Sequence, residues 1–300
     1  MFFRALTMFR FPASLDFSAL DDGLQACAFK PVGPLELSSR GFAPPLGKHA
    51  PGLSHRCGDA LWLTLGGEDR LLPAAVVDKA LQERLDQIGA REGRVPGGRA
   101  RKRLKEEIVI ELLPRSHAKP WRLDALLDLR RGVIAVDTTG RRAAEGFVSE
   151  LRHALGSFPA LPLHAEISPR AILTGWLAGD VLPDGLALGK DCELQDAADG
   201  GSKVRCYRVE LRGDEIESHL GIGRQCARLA LVLDDHVAFE LDESLVVRKF
   251  KLLDGAVETL ESTERDDIVA ELDARFALMA GEFGRLFDVL EASFRLGKAG

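Results

Sequence analysis

The stretch Leu123-Asp124-Ala125-Leu126-Leu127-Asp128-Leu129-Arg130-Arg131-Gly132-Val133-Ile134-Ala135-Val136-Asp137 decides the fold. Two apolar runs, 123–129 and 133–137, are joined only by Arg130-Arg131-Gly132. So tight a link makes a hairpin, because parallel strands need a crossover of about a dozen residues or more. The runs 228–233, 237–241 and 245–252 are also joined by short links and read as an antiparallel meander. The expected class is therefore α+β, antiparallel sheets with flanking helices, and not a doubly wound parallel sheet.

Around this hairpin, the remaining elements follow from periodicity and punctuation. Residues 2–11 and 60–65 read as strands, the second turning at Gly66-Gly67; Ser18 is placed to cap a short helix carrying Leu20, Leu24 and Cys27. After Pro73, Val77, Leu81, Leu85 and Ile88 mark one face of a helix. A break at 91–98 precedes a second helix, about 99–113, with Leu104, Ile108 and Leu112 inward and Pro114 as its stop. A helix over 141–155 ends at Gly156, and Ser168-Pro169 opens a short one containing Trp176. Strands are expected near 186–194 and 203–211, then a helix from Asp214. A C-terminal helix, 264–295, carries Ile268, Leu272, Phe276, Met279, Leu286 and Leu290. The chain reads as one piece over 1–300, with 74–122 a basic helical projection from a mixed body of 1–73 and 123–300.

Composition bounds the function. A 46% hydrophobic, 29% charged chain of 300 residues suits a soluble globular protein. No apolar run nears the roughly 20 residues of a membrane span, and arginines interrupt the apolar N-terminus, so neither a span nor a signal peptide is expected. Five scattered cysteines without a CxxC fit reduced thiols in the cytoplasm. The net charge of −6 is unevenly spread: residues 91–122 hold ten Lys/Arg against four Glu, whereas 254–291 hold eleven acids against three Arg. An acidic chain with one basic segment permits a basic surface.

Several residue sets bear on chemistry. Asp137, ending a hydrophobic strand, could with Asp234 and Asp235 form a magnesium-dependent aspartyl phosphotransferase site. Against it, Thr139 stands where a second acid would follow, and an antiparallel sheet does not gather these carboxylates. His49, His55 and Cys57 match no standard zinc spacing. The stretch from Gly185 to Asp191 falls short of a phosphate-binding loop, and no GxGxxG or GxSxG occurs. No catalytic group, metal or cofactor is therefore expected. The run Arg99-Ala100-Arg101-Lys102-Arg103-Leu104-Lys105 puts Arg99, Lys102 and Arg103 around one side of a helix. Arg205 shares a strand face with Tyr207, beside Arg208, and Arg248-Lys249-Phe250-Lys251 is a third basic element. Such elements suit phosphate binding without sequence-specific readout.

Ordered segments across the whole chain resemble the RdgC family. They are Phe2-Phe3-Arg4-Ala5-Leu6-Thr7-Met8-Phe9-Arg10, the loop Gly41-Phe42-Ala43-Pro44-Pro45-Leu46-Gly47 with His49 and His55 after it, and Leu72-Pro73. Leu104-Lys105-Glu106-Glu107 leading to Leu112-Leu113-Pro114-Arg115, Leu155-Gly156-Ser157-Phe158-Pro159 and the close from Asp273 to Glu282 follow in order. The resemblance implies a ring-shaped homodimer whose positive hole encircles duplex or single-stranded DNA with little sequence preference. It implies a nucleoid-associated protein that limits access of the recombinase RecA to that DNA. Arg94 and Arg208 match family positions implicated in DNA contact; Val209, beside Arg208, replaces a polar residue. His117 stands where the family has an aromatic residue at a dimer contact. The residues expected on DNA are thus Arg94, Arg99, Arg101, Lys102, Arg103, Arg205 and Arg208, with His117 at the dimer interface.

Overall fold

Gly132 closes the deciding hairpin in a left-handed conformation (φ 63°), and a Cβ there would lie 2.3 Å from the Phe11 carbonyl oxygen. Only glycine suits that turn. The computed structural model describes residues 3–47, 50, 52–196, 201–257 and 268–297. In it the hairpin is the antiparallel pair β5 (Ala118–Asp128) and β6 (Val133–Val136), in the register Ala125↔Val136 to Asp128↔Val133.

The other elements, in chain order, are β1 (Thr7–Arg10), α1 (Leu20–Ala26), β2 (Ser38–Ala43), β3 (Ser54–Cys57), β4 (Ala60–Arg70), α2 (Ala74–Glu92) and α3 (Gly98–Leu112) before the hairpin. After it come α4 (Arg141–Leu155), β7 (Leu161–Pro162), α5 (Pro169–Ala178), β8 (Leu186–Asp196), β9 (Lys203–Cys206) and α6 (Asp214–Gly221). The series ends with β10 (Arg224–Leu233), β11 (Val237–Asp242), β12 (Val247–Leu252), α7 (Asp254–Val257) and α8 (Ile268–Phe294). The fold is α+β.

The chain divides into two compact units, a larger one of residues 1–26, 44–64 and 123–300 and a smaller one of 27–43 and 65–122. The long strands β4 and β5 contribute residues to both. Within the larger unit one sheet runs β4-β5-β6-β1-β7 with β3 on β4, and a second runs β12-β11-β10-β8-β9. In the second sheet every neighbouring pair is antiparallel. Strand alternation sends Met8, Leu126, Val133 and Ala135 into a core shared with Leu194, Leu229 and Leu241 of the second sheet. Helix α8 adds Phe276, Met279, Phe283, Leu286, Phe287, Leu290 and Phe294, recurring at helical period. Each such side chain contributes roughly 1.5–3 kcal/mol by burial. On the opposite face Leu127, Ile134 and Val136 are also buried, so β6 has no polar side.

A cation ties α8 to the hairpin turn. Arg131 donates from Nε and an Nη to both oxygens of Asp288 (2.7 and 2.6 Å) and from its other Nη to buried Asp128 (2.7 Å). The Asp128 carboxylate also accepts the Arg131 backbone N–H, which fixes the turn.

Several expectations fail for local reasons. Strand β4 does not turn at Gly66-Gly67 but continues to Arg70; a Cβ on Gly67 would meet the Trp121 ring at 2.2 Å, so this glycine admits an indole. Ser18 does not cap α1, because its hydroxyl and N–H both donate to Asp16 and the helix begins at Leu20. The first strand is only Thr7–Arg10, and the 203–211 strand stops at Cys206, where Arg208 soon adopts φ 55° and donates its N–H to Asp191. Strand β10 begins at Arg224, ahead of the expected 228. Ile268 is exposed, and residues 264–267 of the expected last helix lie outside the described residues.

Candidate nucleic-acid interface

In the smaller unit α2 and α3 form a helical hairpin. Val77, Leu81 and Leu85, one turn apart, meet Ile108 in a small core to which Leu104, Val109 and Leu112 are added. Gly93 ends α2 in a left-handed conformation, and Pro114 enters a 3-10 turn after α3. With one face of α3 committed inward, Arg99, Arg101, Lys102 and Arg103 remain exposed, as does Arg94 in the connection.

Which of these cations is available depends on nearby acids. Arg84 pairs with Glu111 (3.1 Å), Lys105 with Asp78 (2.7 Å) and Arg103 with Glu107 (3.0 Å). Arg94, Arg99, Arg101 and Lys102 form no ion pair among the described residues. Exposed pairs such as Arg103–Glu107 are worth little, under about 1 kcal/mol, so a phosphate can displace the carboxylate.

The larger unit treats its basic residues differently. Glu193 on β8 is 4% exposed and gathers Arg205 (2.8 Å), Lys203 (3.3 Å) and Arg228 (3.6 Å). Burial pushes its carboxyl up, but the Arg205 hydrogen bond, with Arg228 and Lys203, outweighs this and holds it below the usual carboxylate value. Arg205 therefore sits on β9 held by a built-in anion. Lys249 likewise pairs with Glu240 and lies 6.0 Å from the Tyr207 ring centre, and Arg248 pairs with Asp242 (2.9 Å). Arg208 alone of the proposed residues in this unit has an exposed side chain without an ion pair among the described residues. It rims a cavity of about 660 Å³ with Lys190 and Arg212, above Leu182, Leu188 and Leu211. Lys190 and Arg212 escaped the sequence reading: each stands singly in the chain, and only the approach of the 208–212 segment to β8 joins them. The stretch from Gly185 to Asp191 forms no phosphate loop but runs into the start of β8.

Asp137, Asp234 and Asp235 are not assembled into a site. Asp137 accepts hydrogen bonds from the N–H groups of Arg4 (2.8 Å) and Ala5 (2.9 Å), which anchors the start of the chain. Burial lifts its carboxyl above the usual value, partly offset by those two donors. Asp234 and Asp235 occupy left-handed positions (φ 51° and 54°) in the β10–β11 turn, ordinary work for aspartate. Among the described residues, no group of close-set metal-binding side chains includes any of the three. His55 donates from Nε2 to the Asp273 carboxylate (2.9 Å) and packs edge-on to Trp62 and Phe276, and among the described residues Cys57 forms no metal group with it. His49 lies outside the described residues. His117 is exposed just before β5, its carbonyl accepting the Leu71 N–H (2.8 Å). Among the described residues no helix is long and apolar enough to cross a membrane.

Known proteins are similar to this sequence from end to end. A family model described as "Putative exonuclease, RdgC" matches residues 1–296. Proteins named recombination-associated protein RdgC from Xanthomonas oryzae pv. oryzae and Xanthomonas axonopodis pv. citri are each 57% identical over all 300 residues, covering both chains fully. One of the same name from Xylella fastidiosa is 54% identical over 300 residues, covering 100% of this chain and 99% of its own. The match covers both sheets and the α2–α3 hairpin, and the chain belongs to the RdgC family.

Proposed function

We propose that this protein acts in recombination by binding DNA without sequence preference, as a homodimeric ring that encircles it and limits the access of the recombinase RecA. In this reading residues 74–122 form a basic projection, 1–73 and 123–300 form the body, and His117 lies at a dimer contact. The protein works as a binder in the cytoplasm, associated with the nucleoid, and not as an enzyme. One observation carries the reading: Arg94, Arg99, Arg101 and Lys102 stand exposed, without an ion pair among the described residues, in a chain of net charge −6. Arg103 adds to this set by exchanging the exposed Glu107 carboxylate for a phosphate, and in the larger unit Arg208 and Arg205 are the residues proposed to meet DNA. The names of the relatives support the setting in recombination.

A salt series of mobility-shift measurements on unrelated duplexes of equal length tests the binding. Log affinity is expected to fall linearly with log salt, by about 0.9 per phosphate neutralised, and the duplexes to agree within a few-fold. A flat salt response or one strongly preferred sequence would overturn it. Assembly is tested separately by sedimentation, where a two-fold dimer gives about 65 kDa, twice the 32.7 kDa chain. A clean monomer at micromolar concentration removes the ring.

A further inference from the structure

We propose that Cys206, Glu215 and His219 form a binding site for a single zinc ion. A thiol sulfur, a carboxylate oxygen and an imidazole nitrogen from these residues lie within 4.8 Å of one another. Among the described residues this is the only such group of three. The sequence hides it, since the spacing matches no zinc motif and the ligands come from two elements.

Local structure supplies the convergence. Glu215 and His219 are four residues apart on α6, so the helix stacks them on one face. Cys206 is the last residue of β9, 5% exposed, and faces Cys192 across the β8–β9 pair. In a tetrahedral zinc site, with bonds of roughly 2.0–2.3 Å, neighbouring donors are roughly 3.3–3.8 Å apart. The three groups need close by only about 1 Å to reach that geometry. The donor set also selects the ion: magnesium and calcium require oxygen ligands throughout, whereas sulfur with nitrogen and one carboxylate suits zinc. On binding, the Cys206 thiol gives its proton to solvent. Thiolate and carboxylate together then cancel the dication's charge, and water completes the tetrahedron.

The metal has a competitor already in place. Arg224 approaches Nδ1 of His219 at 3.0 Å. A guanidinium stays protonated, so it donates, and the imidazole proton must then reside on Nε2. Binding at Nδ1 displaces Arg224 directly; binding at Nε2 moves the imidazole proton to Nδ1 and turns the contact repulsive. In either case Arg224 is released, and its other Nη already has the Ser202 hydroxyl at 3.2 Å. The ion would pin α6 to the end of β9 and so close the 207–213 segment that carries Arg208.

The full-length protein, stripped by chelator and dialysed against zinc, should retain one zinc per chain by atomic emission. Cobalt in its place should give a thiolate-to-cobalt charge-transfer absorption that Cys206→Ser abolishes. His219→Ala, on the helix surface where the fold tolerates it, should weaken zinc binding by about tenfold or more. Glu215→Gln should weaken it too, and Arg224→Met should tighten it. Cys57→Ser, whose thiol lies on the other sheet, should retain zinc as the native chain does. Loss of zinc from the native chain on dialysis overturns the site. So does binding that persists unchanged in both Cys206→Ser and His219→Ala, and an unchanged affinity in Arg224→Met overturns the competition.

Discussion

Replacing Arg101, Lys102 and Arg103 together by glutamate is expected to lower DNA affinity by on the order of a hundredfold or more near physiological salt. The change reverses six units of charge on the exposed side of α3 and leaves half-buried Leu104 and buried Ile108 in place. Glutamate is a good helix former, and the like-charge pairs created with Glu106 and Glu107 cost only about 0.2–0.5 kcal/mol each, so circular dichroism should change little. The salt slope should flatten by between two and three phosphate equivalents, not a full three, because Arg103 already shares Glu107. The matched control converts Arg56, Arg141 and Arg142, all exposed in the larger unit, to glutamate. Equal loss in the control means that net charge, and not the hairpin, governs binding.

Arg131→Met is expected to destabilise the protein by about 3 kcal/mol in urea denaturation. The guanidinium is the only cation paired with Asp128 among the described residues, and Asp128 is 7% exposed. Removing it leaves a buried carboxylate with backbone donors alone. Asp288→Asn should cost far less, under about 1 kcal/mol, because that carboxylate is half in water. The pH dependence has a definite sign. The Arg131 hydrogen bond holds the Asp288 carboxyl below its ordinary value, so its contribution is present above the unfolded value near 3.8 and is lost as pH falls through the folded one. The gap between native protein and Arg131→Met should therefore narrow in acid. A gap that widened would mean that Asp288 does not depend on Arg131.

The parts of the fold that were legible are those whose cause is local. Gly132 marks a turn, Gly156 ends α4 and Pro73 precedes α2 because backbone sterics act within a few residues. The period of Val77, Leu81 and Leu85 needs only the helix itself. Gly67 misled because its reason is Trp121, far along the chain, and not the residues beside it. Arg205 shows the same limit within the candidate site. Its exposure on a strand was readable, but the claim of Glu193 on it arises only when β8 and β9 pair. The cations of α3 were easier, because on a helix the acids of the same element meet them at three and four residues' spacing, as Glu107 meets Arg103. What Asp137 does is set by the N–H groups of Arg4 and Ala5, which lie 133 and 132 positions away in the chain.

The indole in the slot above Gly67 gives the protein an internal optical reporter. Of the three tryptophans, Trp62 and Trp176 belong to the larger unit and are each 5% exposed. Trp121 is half-buried and is the smaller unit's only one. Its emission is expected further to the red and should yield first to an aqueous quencher, while the other two stay shielded. Quenching therefore separates the light from the two units without a label. The unit that carries Arg99 and Arg101, without an ion pair among the described residues, is the one whose signal can be followed alone.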